Sequence, residues 1–318
     1  MLAVYADHFD ATDPLAGLAT GERPDPVERE GWTTVTVRAT SLNHHDLWSL
    51  RGVGLRAEQL PMILGTDAAG VTDDGREVVL HGVIGADGHG VGPDETRTLL
   101  SEKYPGTFAE RVSVPTHNLV DKPAALSFEE AACLPTAWLT AYRMLFRSAE
   151  LTPGQSVLVQ GAGGGLATAA IALGAAAGLE VIVTSRSETK RSAALALGAS
   201  HALEPGARVP HRVDAVLETV GAATWSHSVR SVRPGGIIAV AGATSGDPSP
   251  AELTRIFFNE ITVRGTTMGT RDELVSLLAF LVQADVRPTI DGTFPIGQAQ
   301  DAFARLASGA QVGKIVLV

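Results

Sequence analysis

The amino-acid sequence predicts an α/β protein in which a doubly wound parallel sheet is joined to a β-rich domain. Three observations lead to this prediction. Apolar β-runs alternate with helical patterns between about residues 123 and 269. Glycines cluster between a β-run and a helical run in "VLVQGAGGGLATAA", residues 157–170. Residues 1–122 consist largely of short β-runs separated by Gly, Pro and Asp.

Composition limits the classes of partner. At 318 residues, with 45% hydrophobic and 19% charged residues, the chain is long enough for two packed domains. A formal net charge of −10 argues against binding to nucleic acid, which depends on many Lys and Arg side chains. The segment "MLAVYADHFD" has no basic region, and no window reaches about 18 consecutive apolar residues. The sequence therefore predicts a cytoplasmic protein that binds neither nucleic acid nor membrane.

The first part of the chain reads as a compact, partly barrel-like β-domain. Its β-runs include "TTVTVRATS", "AAGVTDDGREVVLHGV" and "TFAERVSVP". A helical run, "SFEEAACLPTAWLTAYRML", follows and opens with a capping box formed by Ser127 and Glu130. Cys133, the single cysteine, lies in this run and is predicted to be a buried thiol, which excludes an intrachain disulfide and a four-cysteine zinc site.

The nucleotide-binding part follows as repeated strand and helix units. The pattern predicts a strand at 157–160, a helix at 166–177, a strand at 180–184, a helix at 187–197, and then strands in "SHALE", "VDAVLETVG", "GGIIAVAG" and "EITVRG". Six strands with intervening helices indicate a doubly wound parallel sheet. Phe257 and Phe258, before the sixth strand, are predicted to be core residues.

The last part of the chain, residues 270–318, no longer shows the regular alternation of strand and helix. A helix begins at a capping box formed by Thr270 and Glu273, and "PTIDGTFP", a helix in "AQDAFARLA" and a strand in "KIVLV" follow. Because a five-residue strand cannot stand alone, it is predicted to pair with the N-terminal β-domain. The nucleotide-binding part, residues 123–269, is then an insertion between 1–122 and 270–318.

The glycine cluster predicts a dinucleotide site. Ala162, Gly164 and Ala167 fit the pattern G-x-G-x-x-[G/A], with Ala at the tight-turn position as a departure. The other register, which starts at Gly161, places the bulky Leu166 at the packing position and is rejected. Backbone N–H groups at a helix N-terminus bind anions, whereas a purely structural turn is the alternative. The expected contact residues are Ala162, Gly163, Gly164, Gly165 and Leu166.

The end of the second strand selects the coenzyme. An acidic residue there binds the ribose 2′-hydroxyl of NAD, whereas Arg accommodates the 2′-phosphate of NADP. This chain has Ser185 and Arg186 at that place, with Lys190 and Arg191 one helical turn later. The residues therefore predict NADPH as the coenzyme. The alternative is that these cations form a solvated start of a helix.

From about Val35 to the C-terminus the sequence resembles the medium-chain dehydrogenase/reductase superfamily, and within it the zinc-free quinone oxidoreductase-like branch. The stretches that carry the resemblance are "ATSLNHHDLWSLRG", "LPMILGTDAAGVTDDG", "GTFAERVSVP", "LTPGQSVLVQGAGGG", "FFNEITVRGTTMGT" and "GKIVLV". The resemblance implies a GroES-like catalytic domain at 1–122, completed by 270–318, and a Rossmann NADP(H)-binding domain at 123–269. It also implies a homodimer, for which the edge of the sixth strand is a candidate interface.

Zinc-dependent members carry a cysteine ligand and a Gly-His-Glu motif that this chain lacks. Asn43 lies near the cysteine position, and Gly65, Thr66 and Asp67 stand where the second motif would be. The three-ligand catalytic zinc site cannot be assembled from these residues in the usual way. His81 and His89, in "LHGVIGADGHGVGPDE", are alternative metal ligands, although a flexible His/Gly loop is the preferred interpretation. No metal is predicted.

Without a Lewis acid, hydride transfer is expected to a quinone or to an α,β-unsaturated carbonyl, whose acceptor carbon is already electrophilic. The resemblance places Asn43 and Asp46 beside the nicotinamide, with Trp48 and Thr66 as walls. His44, His45 and Asp67 are further polar candidates. The alternative for "NHHD" is a turn in which Asn and Asp bond the backbone while the histidines face water.

Other features leave the mechanism open. The tyrosine proton donor of many relatives is absent from "LWSLRGVGLRAEQ", so Tyr104 and solvent are the alternative proton donors. Gly242 and Ala243, after the fifth strand, and Thr267 and Met268, after the sixth, are expected to flank the nicotinamide, unless they are only strand-end turns. Competing functions are a zinc-free alcohol or aldehyde dehydrogenase and a non-catalytic NADPH-binding protein.

Overall fold

A computed structural model describes residues 1–85, 97–247 and 250–318, which form two compact units. The first unit comprises Met1–Leu139 and Gly269–Val318, and the second comprises Thr140–Met268. The first division therefore falls later in the chain than the predicted boundary at 122/123. The physical reason is that the helix at Phe128–Ala132 packs against strands of the β-domain and stays with it.

The first unit is built mainly on antiparallel strands, and its last two strands pair in parallel. Its strands are β1 (Leu2–Ala6), β2 (Leu18–Glu22), β3 (Trp32–Ser41), β4 (Met62–Ile63), β5 (Ala68–Thr72), β6 (Glu77–Leu80), β7 (Val83–Gly85), β8 (Arg97–Leu99), β9 (Arg111–Pro115), β10 (Leu119–Asp121), β17 (Ile290–Phe294) and β18 (Lys314–Leu317). The largest described sheet has the order β10-β6-β5-β3-β18-β17, and β9 also pairs with β3. The predicted pairing of the last strand is confirmed, since Val316 of β18 lies opposite Ser41 of β3.

Helices close the core of this unit. They are α1 (His44–Leu50), α2 (Phe128–Ala132), α8 (Arg271–Ala284) and α9 (Ala299–Ala307), with 3₁₀ turns at Pro14–Gly17, Ala57–Gln59, Thr116–Asn118 and Ile296–Gln298. Phe303 of α9 meets Phe108 edge to face, with ring centroids 5.9 Å apart, and both side chains are fully buried. The described helices are each too short or too polar to span a bilayer.

The long helical run at 127–145 is confirmed at its start and is irregular afterwards. Ser127 Oγ accepts a hydrogen bond from the Glu130 N–H at 3.1 Å, and a Glu130 carboxylate oxygen accepts one from the Ser127 N–H at 2.8 Å. After α2 come a π-helical turn at Leu134–Trp138, α3 (Leu139–Arg143) and a second π-helical turn at Met144–Ser148. Cys133 is fully buried, as predicted, and burial raises the pKa of its thiol to about 12.

The second unit contains the predicted doubly wound sheet. Its strands are β11 (Ser156–Gln160), β12 (Glu180–Thr184), β13 (His201–Leu203), β14 (Val213–Glu218), β15 (Val232–Val240) and β16 (Thr262–Gly265), and its further helices are α4 (Gly165–Ala176), α5 (Glu188–Ala196), α6 (Trp225–Ser231) and α7 (Leu253–Phe258). All strands are parallel, in the order β13-β12-β11-β14-β15-β16. One detail differs from the prediction: residues 204–212, all described, form no helix.

The prediction that Phe257 and Phe258 are core residues is wrong. Their side chains are 63% and 75% exposed, and their rings stack on each other with centroids 4.8 Å apart. The six-residue α7 turns only Ile256 toward the core of the second unit, which leaves the two phenylalanines facing outward. An exposed aromatic pair therefore precedes the edge strand β16.

Candidate functional site

The predicted coenzyme residues gather at one edge of the sheet in the second unit. Because all six strands are parallel, the loops that follow them leave from the same carboxyl edge, where nucleotides bind in doubly wound folds. Residues 161–165 follow β11, 185–186 follow β12, 241–246 follow β15 and 266–268 follow β16. Gly242, Ala243, Thr267 and Met268 thus lie on the same edge as the glycine turn, and their contact with a nicotinamide remains a prediction.

The glycine turn borders open space. Gly161 has a φ of +106°, which disfavours other residues, and Gly164 is the N-cap of α4. A Cβ atom built at either position would meet no atom within 4 Å. Bare backbone at a helix N-terminus, with room beside it, is the geometry that accommodates a pyrophosphate. The residues present therefore fit a dinucleotide.

The tight helix packing lies elsewhere than expected. Ala167 is 8% exposed, whereas a Cβ at Gly174 would lie 2.8 Å from Cγ2 of Val181. Gly174, rather than Ala167 alone, allows α4 to approach β12 closely. This glycine falls outside the G-x-G-x-x-[G/A] pattern, so the motif did not identify it.

Lys190 reaches back over the glycine turn. A Cβ at Gly163 would lie 2.4 Å from Cδ of Lys190 and 2.9 Å from its Nζ. The lysine chain therefore fills the space that a side chain at Gly163 would need. This contact puts a positive charge beside the turn, as a site for phosphate requires.

The two arginines near the end of β12 differ in their contacts. Arg191 donates to the carbonyl of Ser185 at 2.7 Å and pairs with Glu188, so it holds the loop in place, and its side chain is 14% exposed. Arg186 is exposed, and within the described ranges no hydrogen bond or ion pair holds its guanidinium. Arg186 is therefore the arginine suited to a 2′-phosphate, a role that remains a prediction, and Arg191 is a positioning residue.

Arg186→Ala is expected to raise the dissociation constant for NADPH about tenfold or more, because a charge-assisted pair is worth about 1.5–3 kcal/mol. The affinity for NADH, which has no 2′-phosphate, should stay the same. Calorimetric titration of both coenzymes checks this result. An unchanged preference for NADPH would contradict the assignment of Arg186.

A buried polar network at the strand ends was not predicted. Gln160, at the end of β11, accepts from Thr184 Oγ1 at 2.8 Å and donates to Ser228 Oγ at 2.9 Å. Glu218, at the end of β14, accepts from Ser228 Oγ at 2.6 Å and from the N–H of Gly221 at 3.0 Å. The network fixes the loops at the carboxyl edge. Its signal in the sequence is a single polar residue that ends an apolar strand.

The first unit contains a second polar centre, formed around Asp67. This fully buried carboxylate accepts through Oδ2 from Ser41 Oγ at 2.9 Å, Asn43 Nδ2 at 2.8 Å and Lys314 Nζ at 3.1 Å. Lys314, which is 3% exposed, also donates to Asn43 Oδ1 at 2.6 Å and to the carbonyl of Leu42 at 2.8 Å. Lys314 was missed because it opens an otherwise apolar strand, "KIVLV".

The four predicted catalytic residues differ in how far their side chains are exposed to solvent. Asn43 is 8% exposed and uses both ends of its amide within the centre. Thr66 is 1% exposed, and its hydroxyl lies 2.9 Å from that of Thr136. Asp46 is fully buried, whereas Trp48 is half-buried and has the Arg51 guanidinium 5.9 Å from its ring centroid. Asn43, Asp46 and Thr66 are thus placed to position other groups, and Trp48 is the one with an accessible face.

Asp46 satisfies backbone, as the alternative interpretation of "NHHD" expected. Its Oδ2 accepts from the Asn43 N–H at 2.7 Å, and burial raises the pKa of the carboxyl to about 6. His44 is exposed, but His45 is only partly so and lies 3.2 Å from a Glu102 carboxylate oxygen. Burial opposes protonation of His45, yet the Glu102 hydrogen bond and the nearby negative charges outweigh it and raise its pKa.

Asp46→Asn is expected to change the pH dependence of stability. The folded carboxyl has a pKa of about 6 and the unfolded one about 3.9, so the folded state binds more protons between these values. Over the whole titration the buried charge should therefore remove about 3 kcal/mol of stability, of which about 2 kcal/mol is lost as pH rises from 4 to 6. Relative to the parent, the variant should gain stability through that window. Urea unfolding of both proteins at pH 4.5 and pH 8 checks this, and an equal difference at both values would contradict it.

The donor set of the first unit does not suit zinc. The Asn43 and Asp67 oxygens already surround the Lys314 ammonium, and the described residues contain no group of three or more His, Cys, Asp or Glu that could hold an ion. The flexible-loop interpretation is wrong for His81, which is 1% exposed and hydrogen-bonds the carbonyl of Gly269 at 2.8 Å. His89 lies outside the described residues.

Comparisons with known proteins agree with this architecture. A family model described as "Alcohol dehydrogenase GroES-like domain" matches residues 29–124, and one described as "Zinc-binding dehydrogenase" matches residues 165–283. The chain is 32% identical to the zinc-type alcohol dehydrogenase-like protein of Schizosaccharomyces pombe, with 90% of each chain covered. It is 28% identical to acryloyl-coenzyme A reductase of Metallosphaera sedula, with 95% of this chain and 96% of the relative covered.

Solved structures show the same fold. A structure of an NAD-dependent alcohol dehydrogenase is 30% identical, with a TM-score of 0.90 over 100% of this chain and 99% of the other. A cobalt- and zinc-bound thermostable alcohol dehydrogenase from Pyrobaculum aerophilum is 27% identical, with a TM-score of 0.89 over 100% and 99% of the two chains.

Proposed function

The chain belongs to the medium-chain dehydrogenase/reductase superfamily, and we propose that within it the protein is an NADPH-dependent, metal-free reductase of quinones or α,β-unsaturated carbonyl compounds. The observation that carries this proposal is the open space beside the bare backbone of Gly164, with Lys190 lying on the same turn. We assign the protein to the zinc-free quinone oxidoreductase-like branch, because the oxygens of Asn43 and Asp67 accept hydrogen bonds from the Lys314 ammonium and are not arranged as zinc ligands.

Bound NADPH would supply hydride, and the chain's own residues would bind and orient the reactants. The backbone of residues 162–166 would hold the pyrophosphate, with Arg186 and Lys190 at the 2′-phosphate. In the first unit, Lys314 and Asp67 fix the orientation of Asn43, while Trp48 offers an apolar face for an acceptor. Positioning then supplies most of the catalysis, since the acceptor carbon of an enone is already electrophilic.

One relative supports this acceptor class. The acryloyl-coenzyme A reductase is named for the reduction of a conjugated carbonyl compound, and it is matched along nearly the whole chain. An alcohol dehydrogenase function remains the second candidate, because relatives of similar identity carry that name.

A screen of NADPH consumption with quinones, enones, enoyl thioesters and aldehydes tests the proposal. We expect turnover with the quinones or with the conjugated carbonyl compounds, and about tenfold or greater preference for NADPH over NADH. Oxidation of simple alcohols with NADP⁺, without turnover of conjugated acceptors, would favour the second candidate. Micromolar NADPH binding without any turnover would instead indicate a non-catalytic coenzyme-binding protein.

We also propose that the protein is a homodimer that pairs through β16. This strand hydrogen-bonds only β15 among the described strands, and Val263 on it is 43% exposed. Leu253, Phe257 and Phe258 add an apolar surface beside the edge, which a second copy would bury. We expect a dimer mass by light scattering, and a monomer for the variant in which Phe257 and Phe258 are both serine. A wild-type monomer at micromolar concentration would contradict this proposal.

A further inference from the structure

A cavity of about 350 Å³ opens in the first unit, and it is unrelated to the predicted coenzyme residues. Every described residue that lines it belongs to the first unit. The walls are stiff and apolar: they include the prolines at positions 24, 26, 61 and 105, together with Met62 and Ile63. Such walls lose little conformational freedom when a ligand binds, and the volume falls within the range of small-molecule sites.

An aromatic corner forms one side of the cavity. Trp32 and Tyr104 meet edge to face, with ring centroids 4.8 Å apart and an interplanar angle of 64°. The Arg29 guanidinium lies 5.0 Å from both ring centroids. The two rings, inclined at 64° to each other, form an apolar corner against which one aromatic group of a ligand can pack. Tyr104, one of the alternative proton donors considered above, is part of this wall.

The charge of the lining distinguishes the cavity from the rest of the chain. The charged side chains in the lining are three arginines (Arg23, Arg29 and Arg111) and one carboxylate, Asp25. The lining therefore has an excess of positive side chains, whereas the whole chain has a net charge of −10. Arg111 is 3.9 Å from Asp25 and 3.8 Å from Asp73, both longer than hydrogen bonds. Its guanidinium therefore keeps N–H donors for another anion.

We propose that this cavity binds an amphipathic organic anion, with a planar aromatic body against Trp32 and Tyr104 and an acidic group bonded to Arg111. The apolar walls account for the body of such a ligand, and the excess of guanidinium groups accounts for its charge. This second binding site goes beyond the proposed reductase activity, because it shares no residue with the predicted coenzyme contacts.

The probe that tests the site is 8-anilinonaphthalene-1-sulfonate, titrated into the full chain by calorimetry with and without saturating NADP⁺. We expect saturable one-to-one binding in the presence of NADP⁺, weakened about tenfold by Arg111→Gln, which removes a charged partner. Arg76→Gln is the matched control, because Arg76 is similarly exposed (47% against 40%) and pairs with Asp121 outside the cavity. That control should bind the probe as the parent does.

The neutral analogue N-phenyl-1-naphthylamine separates charge from shape. It should bind the parent about tenfold more weakly than the sulfonate and should be insensitive to Arg111→Gln. The proposal is overturned if NADP⁺ displaces all bound sulfonate, if the two probes bind equally, or if Arg111→Gln and Arg76→Gln act alike. Because Arg111 is a surface residue of β9, loss of the fold does not complicate the result, and unchanged melting curves verify this. Neither outcome of this experiment bears on the coenzyme site, which the Arg186→Ala variant tests separately.

Discussion

Gly164→Val is expected to abolish coenzyme binding while leaving the protein folded. Gly164 has a φ of −75°, which valine adopts without strain, and a Cβ there meets no atom within 4 Å. The folded chain therefore leaves open space where the side chain begins, and the change at the helix N-cap should cost only about 1 kcal/mol or less. A pyrophosphate that rests on this backbone has no such room. We expect the NADPH dissociation constant to rise more than about 100-fold, or by about 3 kcal/mol or more.

Gly297→Val is the control for that experiment. A Cβ at Gly297 also meets nothing within 4 Å, but this glycine lies in a 3₁₀ turn of the first unit. It should keep the NADPH affinity of the parent. Fluorescence titration of NADPH and thermal unfolding of both variants measure the two effects. If Gly164→Val bound NADPH normally, the open space at the turn would not be the coenzyme site.

The strands and turns of the second unit could be predicted from local sequence patterns. The glycine turn, the apolar strands and the capping residues are each specified within a few neighbouring positions, so the strands of the parallel sheet could be located from the sequence. The same holds for the capping boxes at Ser127 and Thr270. The edge residues Arg186 and Gly164 could be named because parallel strands align their carboxyl ends.

The polar centre of the first unit could not be predicted in this way. Asp67 and Lys314 lie on β-domain segments that meet only when the last strand pairs with β3, and their sequence separation is 247 residues. Pairing of the last strand with the N-terminal β-domain was predicted, but its particular partner, β3, and the partner of the lysine depend on the strand register and on side-chain directions. The prediction for Phe257 and Phe258 was wrong for a different reason. Hydrophobicity alone does not distinguish a core side chain from one that is exposed beside a sheet edge.

Lys314→Met is expected to destabilise the protein by about 3–5 kcal/mol. The ammonium is the cation that balances Asp67, and both side chains are almost completely buried. Removing it leaves a carboxylate in the interior with only the neutral donors of Ser41 and Asn43, and uncompensated buried charges have costs of about this size. Urea unfolding at pH 7 gives the free energy. Lys122→Met is the comparison variant, because the Lys122 side chain is also buried but its ion-pair partner, Glu77, is half-exposed. Its loss removes hydrogen bonds to the carbonyls of Pro123 and Leu126 but leaves no buried carboxylate, so it should cost less, about 1–2 kcal/mol.

The double variant Lys314→Met, Asp67→Asn separates charge from packing. The side-chain carbonyl oxygen of the introduced amide can still accept from Ser41 and Asn43, while the unbalanced charge is gone. The double variant should therefore be more stable than Lys314→Met alone, by about 2 kcal/mol or more, and the cycle should give a coupling energy of similar size. Additive effects would mean that Lys314 acts through its methylene packing, and the orientation of Asn43 by an ion pair would then be untenable.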